Sequence, residues 1–248
     1  MMKQTSVTNE SFQSGYYTSM SRSRGYAYVF NYTFKNQLEA RAGAERDSNN
    51  LRETLSKFGY EVIVYEDMTK ELTMETILSI RNDPILCEVD SIIFFFLSHG
   101  LSDYIFYTCE GQRLSLDEIR RQFTRRKCPQ LEAKPKIFMS NFCRGPKFEK
   151  QVFNDEGEVL KDIVTIHATA EGIRALRLRD TGTIFVTSLC EVLNKMYIFM
   201  DLRQIYAKLQ AIMTAKGGSS PMWEDYAFKK FYFRRSNYKR NCQQTPEI

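Results

Sequence analysis

Histidine is nearly missing from this chain of 248 residues: it has only His99 and His167. Any chemistry that needs an imidazole must use one of these two. Six cysteines stand at positions 87, 109, 128, 143, 190 and 242, and no two of them form a C-x-x-C pair. The usual zinc and dithiol-redox spacings are therefore excluded, and the residues imply no metal and no cofactor. No apolar run reaches membrane-spanning length, and the amino terminus carries no apolar signal segment. The expected setting is a reducing cytoplasm, with free thiols and no membrane contact. Aspartate is absent from residues 1–46, which bears on processing below.

What the chain does have suits one ordinary folded domain. Hydrophobic residues make up 43%, enough for a real core, and the net charge of +5 is mild. Much of that charge sits in Arg121, Arg125, Arg126 and Lys127 and in a tail with Arg234, Arg235, Lys239 and Arg240. These read as a solvated helix end and a solvated tail. A nucleic-acid face would interleave basic residues with exposed aromatics, and none does, so nucleic acid is not an expected partner.

Residues 1–24 are polar and aperiodic and read as a flexible leader, too short for a folded adaptor domain. Strands are expected at 26–31, 61–65, 91–97, 104–107, 136–140, 163–167 and 227–233. Helices are expected after Asp47, over 70–81, from a Ser115–Glu118 capping box, over 184–196 and after Asp201. Residues 146–162 are charged and aperiodic, which suggests a loop. The alternation predicts an α/β fold: a mostly parallel six-stranded sheet with helices on both faces, a three-layer α/β/α sandwich.

Two predicted core strands end in reactive side chains. Ser91–Leu97 runs into Ser98-His99-Gly100, and Lys136–Ser140 runs into Asn141-Phe142-Cys143-Arg144-Gly145. Open α/β sheets hold their ligands beyond the carboxyl ends of the strands. If these two strands are neighbours, they bring a thiol and an imidazole together. A thiol attacks a carbonyl as thiolate, so it needs a base or a positive field nearby. Acyl transfer, most simply peptide hydrolysis, is the chemistry such a pair supports.

The segments SHG at 98–100 and NFCRG at 141–145 resemble the signature segments of the caspases, Asp-specific cysteine proteases of apoptosis. Arg41-Ala-Gly43 with Asp47 and its helix, KPKIFMSNFCRG, residues 169–193 and the terminal KKFYF are similar to further family segments, so the resemblance covers about residues 25–235. It implies a large-subunit-like region at 25–147, a short linker at 148–162, a small-subunit-like region at 163–236 and a polar tail at 237–248. It also implies that Cys143 is the nucleophile, that His99 is the general acid/base, and that the Gly100 and Cys143 amides form the oxyanion hole. Arg41 and Arg177 would hold a P1 aspartate, with Asn141, Thr183 and Ala175 lining the substrate site. Two guanidinium forks suit one carboxylate in a way lysines do not.

Several positions depart from the family pattern. Asn141 replaces a glutamine and is one methylene shorter. Thr183 replaces a serine, and Phe142 replaces an alanine. Ala175 and Leu176 replace a serine and a tryptophan, and Leu101-Ser102-Asp103 follows SHG. The linker offers only Asp155 and Asp162 for processing, so the chain is expected to work largely uncut. Two functions remain open. One is an active, short-leader, effector-like caspase cleaving protein substrates after aspartate. The other is a divergent decoy that regulates an active caspase by heterodimerisation. Pairing as a homodimer or heterodimer is expected through the last strand, with Phe228, Phe231 and Phe233 at its edge.

Overall fold

The computed structural model describes residues 15–19, 21, 23–35, 40–102, 104–145, 159–172, 177–178, 182–196 and 200–233. The first half runs β1 (Ser23–Asn31), α1 (Ala44–Ser56), β2 (Tyr60–Glu66), α2 (Lys70–Asn82) and β3 (Val89–Leu97). A small antiparallel sheet follows, made of β4 (Gly100–Ser102), β5 (Ile105–Tyr107) and β6 (Arg113–Ser115), and then the short α3 (Leu116–Arg120). Next come β7 (Lys136–Asn141), β8 (Ile163–His167), a two-stranded ribbon of β9 (Arg177–Leu178) and β10 (Gly182–Thr183), α4 (Ile184–Met196), α5 (Leu202–Ala215) and β11 (Met222–Tyr226).

The main sheet has the order β11-β8-β7-β3-β1-β2, parallel except for β11, which runs antiparallel to β8. All nine residues of β3 are buried. This explains their unbroken apolar run, because a strand covered on both faces has no solvent side to mark with polar residues. Alternate residues serve opposite faces. Ile93, Phe95 and Leu97 pack in one cluster with Leu51 and Leu55 of α1, Leu189 of α4 and Ile205 of α5. Ile92, Phe94 and Phe96 pack in the other with Ile77 and Ile80 of α2 and Ile119 of α3. Stacked rings tie the second face together across strands: Phe94 lies 5.0 Å from Phe138 and 5.3 Å from Tyr28 between centroids. This is the expected three-layer α/β/α sandwich.

Several local expectations are corrected. Asp47 does not cap α1, which begins at Ala44. It lies in the first turn, on the buried stripe that also carries Leu51 and Leu55. Ser115 makes no side-chain cap, because it is the buried last residue of β6, and the helix it precedes is only five residues long. The helix expected over 70–81 is α2, which runs one residue further, to Asn82, and buries Thr73, Ile77 and Ile80. The last strand is Met222–Tyr226, not 227–233. Ala227 has a left-handed backbone that ends it, and Phe231 and Phe233 bury in the core rather than lining an edge. Asp201 does cap α5, in a capping box with Gln204. No helix among the described residues is long and apolar enough to cross a membrane.

The leader reading also changes where the residues are described. The Tyr17 amide donates to the Lys230 carbonyl at 3.0 Å, and the Lys230 amide donates back to the Gly15 carbonyl at 3.1 Å. The Tyr17 hydroxyl donates to Asp162 at 2.9 Å. The Ser19 hydroxyl and the Ser21 amide both donate to Asp90. Asp90 in turn faces Arg24 at 3.6 Å, with both side chains under 5% exposed. Arg24 also donates to the Tyr232 carbonyl and lies over the Phe231 ring. This buried pair joins the amino-terminal segment, β1, the start of β3 and the carboxyl-terminal segment. Arg24→Met should cost about 3–5 kcal/mol, because it leaves the Asp90 charge buried without its cation. Urea unfolding checks this, and a loss below about 1 kcal/mol would show that serine donors alone satisfy Asp90.

Candidate active site

The site is built by the pairing of β3 with β7. The two strands are parallel neighbours, with Leu97 opposite Asn141, and the Ser98 amide donates to the Asn141 carbonyl at 3.2 Å. Two residues further on, the chains reach His99 and Cys143, at corresponding positions beyond adjacent strand ends. The condition posed by the sequence, that these strands be neighbours, is met. Cys143 is a half-buried free thiol. His99 is half-buried, its ring 4.9 Å from that of Phe34, and its carbonyl accepts the Tyr107 amide at 3.0 Å.

Gly100 is required by close approach. A Cβ there would run into the Cys143 carbonyl oxygen and the Phe142 ring. Phe142, which replaces the family's alanine, is buried and packs 5.4 Å from Phe106. It belongs to the apolar core rather than to the substrate side, so this departure is a matter of packing.

Arg41 is 2% exposed. One terminal nitrogen donates to the Asn31 side chain and to the carbonyls of Tyr32 and Leu97, each at 2.9 Å. It is therefore anchored across the ends of β1 and β3. The other terminal nitrogen lies 3.9 Å from Asp47 Oδ2. Thr183 is buried, and both its amide and its hydroxyl donate to Asp47 Oδ1, at 2.8 and 3.1 Å. Its Oγ1 also accepts the Val186 amide at 3.3 Å, at the start of α4. The backbone of Arg177 pairs opposite Thr183. Asn141 is 2% exposed, and its Nδ2 has no hydrogen-bond partner among the described residues. Ala175 and Asp103 lie outside the described residues.

Sequence reasoning missed two elements of this neighbourhood. One is the role of Asp47. Its position on the apolar stripe of α1 was a usable signal, since an inward-facing carboxylate must find a cation or donors. The other is a buried polar network beside the cysteine strand. His167 pairs in register with Ser140. Its Nδ1 lies 2.7 Å from Ser140 Oγ, and its Nε2 lies 3.2 Å from Glu224 Oε2. Glu224 also receives Arg120 at 2.8 Å, Tyr104 at 2.9 Å and Tyr226 at 2.7 Å. Nothing in the spacing of these residues announces the cluster, because three separate strands, a helix and the turn before β5 supply it.

Burial lowers the His167 pKa to about 4, the Arg144 and Arg120 charges push the same way, and the hydrogen bond to Glu224 only partly opposes them. The ring is therefore neutral, with Nε2 donating to Glu224 and Nδ1 accepting from Ser140. Burial would raise the Glu224 carboxyl, but the bonds from His167 and Arg120 hold it below the usual carboxylate range. Burial and the Glu224 charge push the Tyr104 hydroxyl up to about 12.

A mostly parallel α/β sandwich that carries a thiol and an imidazole just beyond the ends of two adjacent central strands has the ingredients of thiol-based acyl transfer. The family model described as Caspase domain matches residues 24–246, and the chain belongs to that family. It is 28% identical over 197 residues to Caspase-6 of Gallus gallus, covering 69% of this chain and 64% of that protein. It is 31% identical over 149 residues to Caspase-2 of Gallus gallus, covering 59% and 35%. It is 29% identical over 192 residues to Caspase drICE of Drosophila melanogaster, covering 70% and 55%. The matched stretches thus span less than two thirds of each of these relatives. The crystal structure of Caspase-1 from Spodoptera frugiperda superposes with a TM-score of 0.79 at 21% identity, covering 90% of this chain and 96% of that one. This establishes the shared fold.

The depressed His167 pKa has a consequence for stability. Between about pH 4 and the ordinary histidine value of 6.5, the unfolded chain binds a proton that the folded state refuses. Stability should therefore climb as pH rises through that window, by on the order of 3 kcal/mol in total from this group. His167→Gln removes the titration and should flatten the pH dependence of the urea midpoint there. An unchanged slope would show that other groups set it.

Proposed function

We propose that this chain is a caspase-like cysteine endopeptidase of the cytoplasm that cleaves protein substrates after aspartate in apoptosis. The observation that supports the reading is the Leu97–Asn141 register, since His99 and Cys143 each follow two residues beyond these neighbouring strand ends. In this reading His99 takes the Cys143 proton, and the thiolate attacks the scissile carbonyl to form a C–S bond. The Gly100 and Cys143 amides receive the oxyanion. His99 then returns the proton to the leaving amine as the C–N bond breaks, and water hydrolyses the acyl-enzyme. Arg41 and Arg177 hold the P1 carboxylate, with Asn141 and Thr183 beside them and Ala175 toward the next residue of the substrate. The unpartnered Asn141 amide supports this, because a buried donor costs about 1–3 kcal/mol until a ligand satisfies it.

The decoy reading keeps one observation of its own: Asn141 is one methylene shorter than the family's glutamine, so its amide reaches less far toward a P1 carboxylate. The test is hydrolysis of fluorogenic peptides with aspartate at P1 by wild type and by Cys143→Ala, alone and with an added active caspase. Wild-type turnover that the variant loses supports the peptidase. No turnover, but an altered rate of the added caspase that survives Cys143→Ala, supports the decoy. The same samples on a denaturing gel should remain uncut at both Asp155 and Asp162. Asp155 lies outside the described residues; Asp162 is 4% exposed, its carboxylate accepts the Tyr17 hydroxyl, and its carbonyl accepts the Lys136 amide. Efficient cleavage at Asp155 would refute an uncut working form.

The dimer reading, homodimer or heterodimer, moves to β11. Among the described residues this strand pairs only with β8 and forms one edge of the sheet, and an open edge is a template for a second strand. Sedimentation should show concentration-dependent self-association. Glu224 and Asp225 on this edge present little free charge against it, since Arg120 and Arg203 already pair them at 2.8 Å. A strict monomer, with or without an added caspase, would remove the edge from the proposal.

A further inference from the structure

Three groups assigned above to the P1 pocket come from distant parts of the chain. Arg41 precedes α1, Thr183 opens α4, and Asn141 ends β7. Asp47 touches two of them at once. It is 0% exposed. Its Oδ1 accepts both Thr183 donors, and its Oδ2 faces the Arg41 guanidinium. The backbone has been shaped around this carboxylate. Gly182 has φ +93°, and a Cβ there would lie 2.5 Å from Asp47 Oδ1, so only glycine lets the ribbon close down on it.

We infer that Asp47 is a positioning residue of the P1 pocket: its carboxylate holds the Arg41 guanidinium and the start of α4 in one fixed relation. This rests on the aspartate-pocket reading above and deepens it. A carboxylate suits the task, because one oxygen accepts both Thr183 donors while the other carries negative charge toward the Arg41 guanidinium at 3.9 Å, a Coulombic contact rather than a hydrogen bond. Burial makes the tie specific, since a charge removed from water must keep its partners. The arrangement also neutralises part of the Arg41 charge. Recognition of a P1 carboxylate then depends on where the guanidinium is held, and not only on its sign. Arg41 is in turn bonded to the Leu97 carbonyl, two residues before His99. The tie therefore links the α4 start to the end of the strand that leads into His99.

Asp47→Asn keeps the size and removes the symmetry. Whichever way the amide turns, an NH2 donor faces either Arg41 or the Thr183 donors, and one side of the tie is lost. The full chain is labelled with peptide chloromethyl ketones bearing aspartate or asparagine at P1, and with iodoacetamide, and Cys143 alkylation is followed by mass spectrometry. In wild type the aspartate probe should label Cys143 at least about tenfold faster than the asparagine probe, and in D47N the ratio should fall to about threefold or less. The iodoacetamide rate, which ignores P1, should stay the same. A wild-type ratio near one overturns the aspartate pocket itself, and this inference with it. A wild-type ratio retained in D47N overturns the inference and leaves the pocket reading intact. Equal loss with all three reagents makes Asp47 merely structural, which also overturns it. If D47N does not fold, Gly182→Ala displaces the carboxylate without removing its charge and is read by the same ratio.

Discussion

The parallel pairing of β3 with β7 is the constraint on which the rest depends. Both strands are buried along their whole length, so every backbone donor and acceptor between them must find its partner in the ladder. A slip of one residue would turn every side chain to the opposite face. Phe94 and Phe96 would leave the aromatic stack, and Ile93 and Phe95 would leave the cluster with α1, α4 and α5. The core thus enforces the register, and the register brings the carboxyl ends of the strands that lead into His99 and Cys143 side by side. Packing free energy, spread over many apolar side chains, in this way fixes where the two segments leave the sheet.

Around that pair, the protein handles buried charge with shared partners. Arg24 with Asp90, Arg41 with Asp47, and Arg120 with Glu224 are ion pairs in which each guanidinium is buried, and the first and third bridge segments far apart in sequence. Removing charges from water is costly, so such pairs add little net stability as pairs. They do penalise arrangements that separate the partners. One pair holds the far end of the sheet together with the amino- and carboxyl-terminal segments described, one lies buried between Thr183 and the ends of β1 and β3, and one lies beside the cysteine strand. Neutral His167, between Ser140 and Glu224, extends the third pair onto β7 without adding a third positive charge beside Arg120 and Arg144.

Much of the architecture is legible from local patterns. The runs 91–97, 136–140 and 163–167 are recognisable because a doubly covered strand must be apolar throughout. Helices at 70–82, 184–196 and 202–215 follow from their periods and, for the last, from Asp201. The misreadings have a common cause. Asp47 and Ser115 both have cap chemistry, and both are claimed by long-range burial instead. Phe228, Phe231 and Phe233 read as a strand by propensity, but a left-handed Ala227 ends β11, and Phe231 and Phe233 turn to the core. Local propensity loses wherever distant side chains offer a better use of the same residue.

The sequence by itself narrowed the candidates for the proposed chemistry. It has only two histidines, and its SHG and NFCRG segments follow directly on two apolar strand runs. It also determined the layering, because hydrophobic period is a local property. Only the tertiary structure decided that β3 and β7 are neighbours in a given register, that Phe142 belongs to the core, and that Asp47 joins Arg41 to Thr183. These are relations between segments that the chain brings together only on folding. Their energies come from packing and from the cost of leaving a buried charge alone, and neither can be read until the chain has folded back on itself.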